Sequence, residues 1–237
     1  MKAKIQSILL LAVMLSSIYC FGQTRNFYDN GRGDVIDEEA YKKKYLKASK
    51  KLSKGVFIYQ RLTEKYSKND SVVYSYEWHI TNDIEKFELG TKTTNALIGK
   101  EYPIKSIATL NGKTVNIDSL KGKPTLINLW FTGCKPCIDE MPILNKMLAE
   151  HSDRFNFLAI TFDSEERVRR FLEKFDFDFP QIVNSKELTS NLGFDYYPTT
   201  LLLDKSGKLA FIKGQIPYNG KKMSDGSTFI ELLEELL

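Results

Sequence analysis

Residues 125–131, TLINLWF, form a nearly unbroken apolar run that leads directly into Thr132-Gly133-Cys134-Lys135-Pro136-Cys137. Such a run reads as a strand buried on both faces, the condition of a sheet covered by helices on either side. Beyond the second cysteine, Ile138, Met141, Leu144, Met147 and Leu148 recur at helical spacing. The first cysteine therefore stands where a strand ends and a helix begins. Strands and helices then alternate: FNFLAITF, a helix over 164–174, a short strand around FPQIV, a helix over 186–192, strands TTLLLD and KLAFIKG joined by Lys205-Ser206-Gly207, and a closing helix. That helix carries Phe229, Leu232, Leu233 and Leu236 on one face, a core-packing stripe. Upstream, 104–110 and 113–117 flank Asn111-Gly112, which predicts a hairpin with positive φ at both central turn positions. The pattern is that of an α/β domain.

The chain has 237 residues, more than one domain of typical size. The surplus lies upstream, where 23–98 reads as a small α+β region separate from a domain over 99–237. A helix over 37–54 carries Tyr41, Tyr45, Leu46 and Leu52 among many lysines and opens on Asp37, Glu38 and Glu39, where a helix N-terminus favours acid. GVFIYQRLTEKY and SVVYSYEWHIT, on either side of Ser67-Lys68-Asn69-Asp70, predict a hairpin. No motif in 23–98 carries recognisable chemistry. Residues 1–22 combine Lys2 and Lys4 with an apolar run from Ile8 to Met14, the architecture of a removable export signal. Lipidation at Cys20, which would attach the N-terminus to a membrane, is the rival reading. The 34 Lys and Arg against 30 Asp and Glu leave a net charge of +4, too weak a field to argue for nucleic acid.

The stretch from Trp130 through Cys134-Lys135-Pro136-Cys137 to Glu140-Met141-Pro142, followed about 55 residues later by Tyr197-Pro198-Thr199-Thr200, resembles the thioredoxin superfamily. Within it, the chain is similar to the exported TlpA/ResA-like thiol:disulfide oxidoreductases over roughly residues 100–237. The resemblance implies a thioredoxin-like fold, a central mixed sheet flanked by helices, with an N-terminal hairpin extension. It implies a redox-active disulfide of Cys134 and Cys137 as the working group, with no other cofactor and no metal. The buried acid that cytosolic thioredoxins place six residues before the first cysteine is replaced here by Asn128, and Glu140 matches the family's glutamate three residues after the second. Pro198 is expected to be cis, its loop set against the cysteine pair and the backbone of Tyr197 open to an extended partner segment. Trp130 should border the site, while Gly133 departs from a position often held by tryptophan. The implied partners are protein disulfides and a membrane-linked electron donor, in an exported and most simply periplasmic setting.

Elementary chemistry agrees. Unpaired N–H groups at a helix N-terminus stabilise a thiolate, Pro136 suits a first turn where no N–H is needed, and Lys135 adds positive charge. Cys134 is thus expected to be the exposed nucleophile and Cys137 the resolving thiol. Glu140 could manage the proton of Cys137, or it could merely complement the helix dipole, as Asp139 does equally well. A static disulfide or half of a metal site are the plainer readings of the pair, although His79 and His151 offer no ligand spacing. A noncatalytic binding or anchoring protein using the fold as scaffold, and a thiol peroxidase, are the functional alternatives to a protein-disulfide reductase.

Overall fold

The computed structural model describes residues 24–30, 34–216, 218–219 and 222–237. The expected export signal and Cys20 lie outside the described residues. Among the described residues no helix is long and apolar enough to cross a membrane. Contacts divide the chain into a first unit ending at Ile80 and a second running from Thr81 to Leu237, with Gly55–Phe57 grouped with the second.

In the first unit, strands β1 (Arg25–Asp29), β2 (Val35–Asp37), β3 (Phe57–Lys68) and β4 (Ser71–Thr81) form a sheet in the order β2-β1-β4-β3. Helix α1 (Glu38–Ser49) is capped by Asp37, whose carboxylate accepts from the Ala40 N–H at 2.8 Å, and Glu38 and Glu39 follow at the positive dipole end. The helix stops at Ser49, short of the expected 54. Its apolar face is aromatic: Tyr41 stacks on Tyr28 at 4.0 Å, and both are buried with Tyr76. The Tyr41 hydroxyl is paired on both sides, Trp78 Nε1 donating to Tyr41 Oη at 3.0 Å and Tyr41 Oη to Gln60 at 2.7 Å. Asn69 takes φ +55 at the β3–β4 turn, where a short polar side chain is tolerated.

The second unit opens with α2 (Ile84–Asn95), which the sequence does not announce because Gly90 and a run of threonines blur its helical stripe. Then come β5 (Ile107–Ala108), β6 (Thr114–Val115), α3 (Ile117–Leu120), β7 (Thr125–Trp130), α4 (Lys135–His151), β8 (Asn156–Thr161), α5 (Glu165–Leu172), β9 (Gln181–Ile182), β10 (Thr199–Leu203), β11 (Leu209–Lys213) and α6 (Ser227–Glu234). The five-stranded sheet runs β11-β10-β7-β8-β9, with β7, β8 and β9 parallel and β10 antiparallel to both neighbours. It is the expected mixed sheet with helices, a thioredoxin-like fold.

Two local expectations are corrected. The β5–β6 hairpin is shorter than 104–117 suggested, and among its turn residues only Gly112 has positive φ (+81). Gly112 N–H donates to the Thr109 carbonyl at 2.9 Å and Thr109 N–H to that of Lys113 at 2.8 Å, a three-residue loop with glycine in the left-handed position. Residues 186–192 form two 3-10 turns, Lys186–Leu188 and Ser190–Leu192, in place of one α-helix. Their stretch is too short and too rich in Ser and Thr to propagate an α-helix.

Strand β7 is buried at every residue. Leu126 and Trp130 face a cluster with Met141, Leu144 and Phe229, while Ile127 and Leu129 face another with Tyr102, Phe194 and Leu201. That double burial is why its sequence is apolar without alternation. Leu144 is fully buried against one face. Its replacement by alanine is expected to lower unfolding free energy by about 2–5 kcal/mol in urea titration. Leu232→Ala, on the half-buried side of the closing helix, should cost clearly less.

Candidate active site

The end of β7 delivers Cys134 to the start of α4, where its backbone is still extended and its sulfur serves as the helix cap, accepting from the Cys137 N–H at 3.2 Å. Pro136 occupies the first turn, as its missing N–H allows. Cys134 and Cys137 are joined as a disulfide with Cα atoms 5.2 Å apart. Cys137 is fully buried and Cys134 is 4 % exposed, so the expectation of an openly exposed nucleophile is corrected. Only an edge of Cys134 reaches solvent, between the exposed Gly133 and Lys135.

Lys135 is placed differently from its expected role. Its ammonium pairs with the Asp139 carboxylate one turn along the exposed face, which offsets the positive charge expected to favour a Cys134 thiolate. The helix N-terminus, with its unpaired N–H groups, is left as the main stabiliser of negative charge on that sulfur. Trp130, expected to border the site, is fully buried and offers no surface to a partner. Its Nε1 donates to Gln181 Oε1 at 3.0 Å, and its ring packs on Phe171 and Phe177 with centroids 5.0 and 5.5 Å away.

Glu140 is fully buried on α4, one turn beyond Cys137. Its Oε1 accepts from Asn128 Nδ2 at 2.9 Å and its Oε2 from the Ile216 backbone N–H at 3.1 Å. Burial disfavours the carboxylate and pushes its pKa up to about 7, against the opposing pull of the two donated hydrogen bonds. Asn128, readable in the sequence only as a missing acid, is thus the partner of the acid that replaces it. The Ile216 contact had no sequence signal, since it uses backbone 76 residues away.

The Tyr197–Pro198 bond is cis, as the resemblance implies, and Pro198 is buried. The Tyr197 ring stands edge-on to Phe131 at 5.4 Å and to Phe162 at 5.5 Å, which sets this loop against the segment entering Cys134. Burial raises the Tyr197 phenol to about 12, and its hydroxyl donates to the Phe194 carbonyl at 3.1 Å. A Cβ on Gly133 would stand 3.2 Å from the Phe131 ring, a close approach for any larger residue before Cys134. Asp163, which the sequence did not single out, holds the same segment: its buried carboxylate accepts from the Thr132 N–H at 2.7 Å. Among the described residues no group of three His, Cys, Asp or Glu side chains lies together in a way that could hold a metal ion.

Comparison with known proteins agrees with this geometry. The AhpC/TSA family model matches residues 98–212. The thioredoxin-like protein YneN of Bacillus subtilis is 34% identical over 134 residues, covering 55% of this chain and 76% of that protein. The thiol-disulfide oxidoreductase ResA of Bacillus thuringiensis is 34% identical over 130 residues, 53% of this chain and 75% of that protein. The solution structure of a candidate protein disulfide isomerase from Bacteroides thetaiotaomicron shares the fold, with a TM-score of 0.50 at 22% identity, over 59% of this chain and 89% of that one.

The position of Glu140 has a consequence for stability. Its pKa is raised in the fold above its ordinary 4.5, so its contribution is fully present below about pH 4.5 and is lost as pH rises through about 7. At roughly 1.4 kcal/mol per pKa unit, the loss is on the order of 3 kcal/mol by pH 8. Thermal or urea unfolding of the oxidised protein should show stability falling over this range. The Glu140→Gln variant, which does not titrate, should flatten that slope.

Proposed function

The chain belongs to the thioredoxin-like family of thiol:disulfide oxidoreductases, and from that premise we propose that it reduces disulfides of other exported proteins through Cys134 and Cys137. The observation that carries this reading is the disulfide at the N-terminus of α4, partly open at Cys134 and closed at Cys137, with a buried acid raised to about 7 one turn further along the helix. In the reduced protein the Cys134 thiolate attacks one sulfur of a partner disulfide, and the other partner sulfur leaves as a thiolate. Cys137, deprotonated, then attacks the Cys134 sulfur, which restores the internal disulfide and releases the partner's second thiol. Two electrons pass from the dithiol to the partner.

Glu140 takes the proton of Cys137 in the second step. A carboxyl with a pKa near the working range is suited to both hold and release it, and Asn128 and Ile216 fix its two oxygens. An extended partner segment is held by the backbone at Tyr197, in the manner of strand addition, with no deep pocket required. The working cofactor is the disulfide alone. The segment 1–22 directs export, with lipidation at Cys20 as the variant that would attach the chain to a membrane. An exported reductase works in an oxidising compartment, so its dithiol is regenerated by a membrane-linked electron donor.

The assay is reduction of the insulin interchain disulfide with dithiothreitol as donor. Wild-type protein should accelerate it, Cys134→Ser should abolish turnover, and Cys137→Ser should accumulate a mixed disulfide visible on a non-reducing gel. Full activity in both variants would contradict the dithiol cycle. Peroxide consumption without disulfide reduction would favour the peroxidase alternative, and inactivity of intact protein would favour the scaffold.

A further inference from the structure

Helix α2 lies in the same unit as the dithiol yet contributes no residue to it. It meets the unit backbone to backbone. A Cβ on Gly90 would stand 3.0 Å from the carbonyl oxygen of Gly193, and a Cβ on Gly193 would stand 3.0 Å from that of Gly90. Only two glycines permit so close an approach without displacement. Glycine in a helix interior is costly relative to alanine, so the contact accounts for its presence at position 90.

Gly193 is not an arbitrary point of contact. At φ +91 it closes the second 3-10 turn, its N–H donating to the Ser190 carbonyl at 3.0 Å. The next residue, Phe194, is fully buried, and its carbonyl accepts the Tyr197 hydroxyl. Tyr197 precedes the cis Pro198. Four residues and one hydrogen bond therefore connect the helix contact to the loop beside Phe131 and the disulfide. The helix is itself anchored: Thr94 is 1% exposed, and Leu97, just beyond it, packs into the cluster that holds Phe194 and Leu188.

We propose that α2 is a brace that sets the position of the Tyr197–Pro198 loop, with Gly90 as a positioning residue for partner binding. The inference rests on the oxidoreductase reading above, because it assigns the loop to partner recognition. A loop already held in its binding geometry does not have to be ordered by the partner, so the brace acts on binding and not on the chemistry of the sulfurs.

The test uses the full chain with Gly90→Ala, assayed against insulin and followed by amide hydrogen exchange. The added methyl must push Gly193. KM for the protein substrate should rise roughly three- to tenfold, the worth of one modest hydrogen bond, with kcat retained. The Gly193 and Phe194 amides should exchange faster. Leu89→Ala, one residue away and 65% exposed, should change neither. Unchanged KM and exchange in a folded Gly90→Ala protein would overturn the brace, and so would a fall in kcat at constant KM. Should the variant not fold, native-state exchange of the wild type in mild denaturant decides: a brace requires the amides of 193–194 to open together with those of α2, and protection of 193–194 that outlasts α2 would overturn it. If wild-type protein reduces no disulfide at all, the oxidoreductase reading fails while the exchange result still decides the brace.

Discussion

A central strand with no solvent-facing side dictates where the dithiol can stand. Because β7 is buried at every residue, its backbone is held by β10 on one edge and β8 on the other, and its end points are set by packing on both faces. The chain must leave that strand at Phe131 and turn at once into α4. Cys134 falls on the turn and caps the helix with its own sulfur. The Asp163 carboxylate below Thr132 and the Phe131, Phe162 and Tyr197 rings fix the few residues between strand and helix. The reactive pair therefore follows directly on a strand held on both edges and both faces.

Glu140 shows what such a site asks of the fold. A carboxyl placed wholly out of water is destabilising when charged, and Asn128 and the Ile216 N–H offset only part of that cost. A leucine there would not titrate, but it would leave the Asn128 amide and the Ile216 N–H without their acceptor. The pKa near 7 is the functional return: an acid of this kind can accept a proton from a thiol and give it up again without leaving the physiological range. Asn128 illustrates the same trade, a polar residue within an apolar strand whose amide is spent on the acid.

Much of this was legible in the sequence because it rests on local pattern. The double burial of β7, the helical stripe of α4, the acidic opening of α1 and the β-rich run around Asn69 each follow from neighbours along the chain. The cysteine pair and Glu140 were found because their spacing is also local, and Pro198, about 60 residues further on, because the resemblance to the family pointed to it. What escaped depends on distant partners. The burial of Trp130 and Cys134 and the grip of Asp163 on Thr132 are settled by what folds over them. Helix α2 escaped for a related reason, since Gly90 answers to Gly193 across the unit and weakens the very periodicity by which a helix is recognised.

The central claim is that a buried acid beside the resolving thiol governs the second half of the dithiol cycle. Stopped-flow measurement of both steps from about pH 5 to 9, in wild type and in Glu140→Gln, tests it most directly. The first attack by Cys134 should proceed alike in the two proteins. Resolution by Cys137 should be slower in the variant and should lose its inflection near pH 7. A variant that resolves the mixed disulfide at the wild-type rate and with the wild-type pH profile would reduce Glu140 to a buried structural acid and contradict the claim.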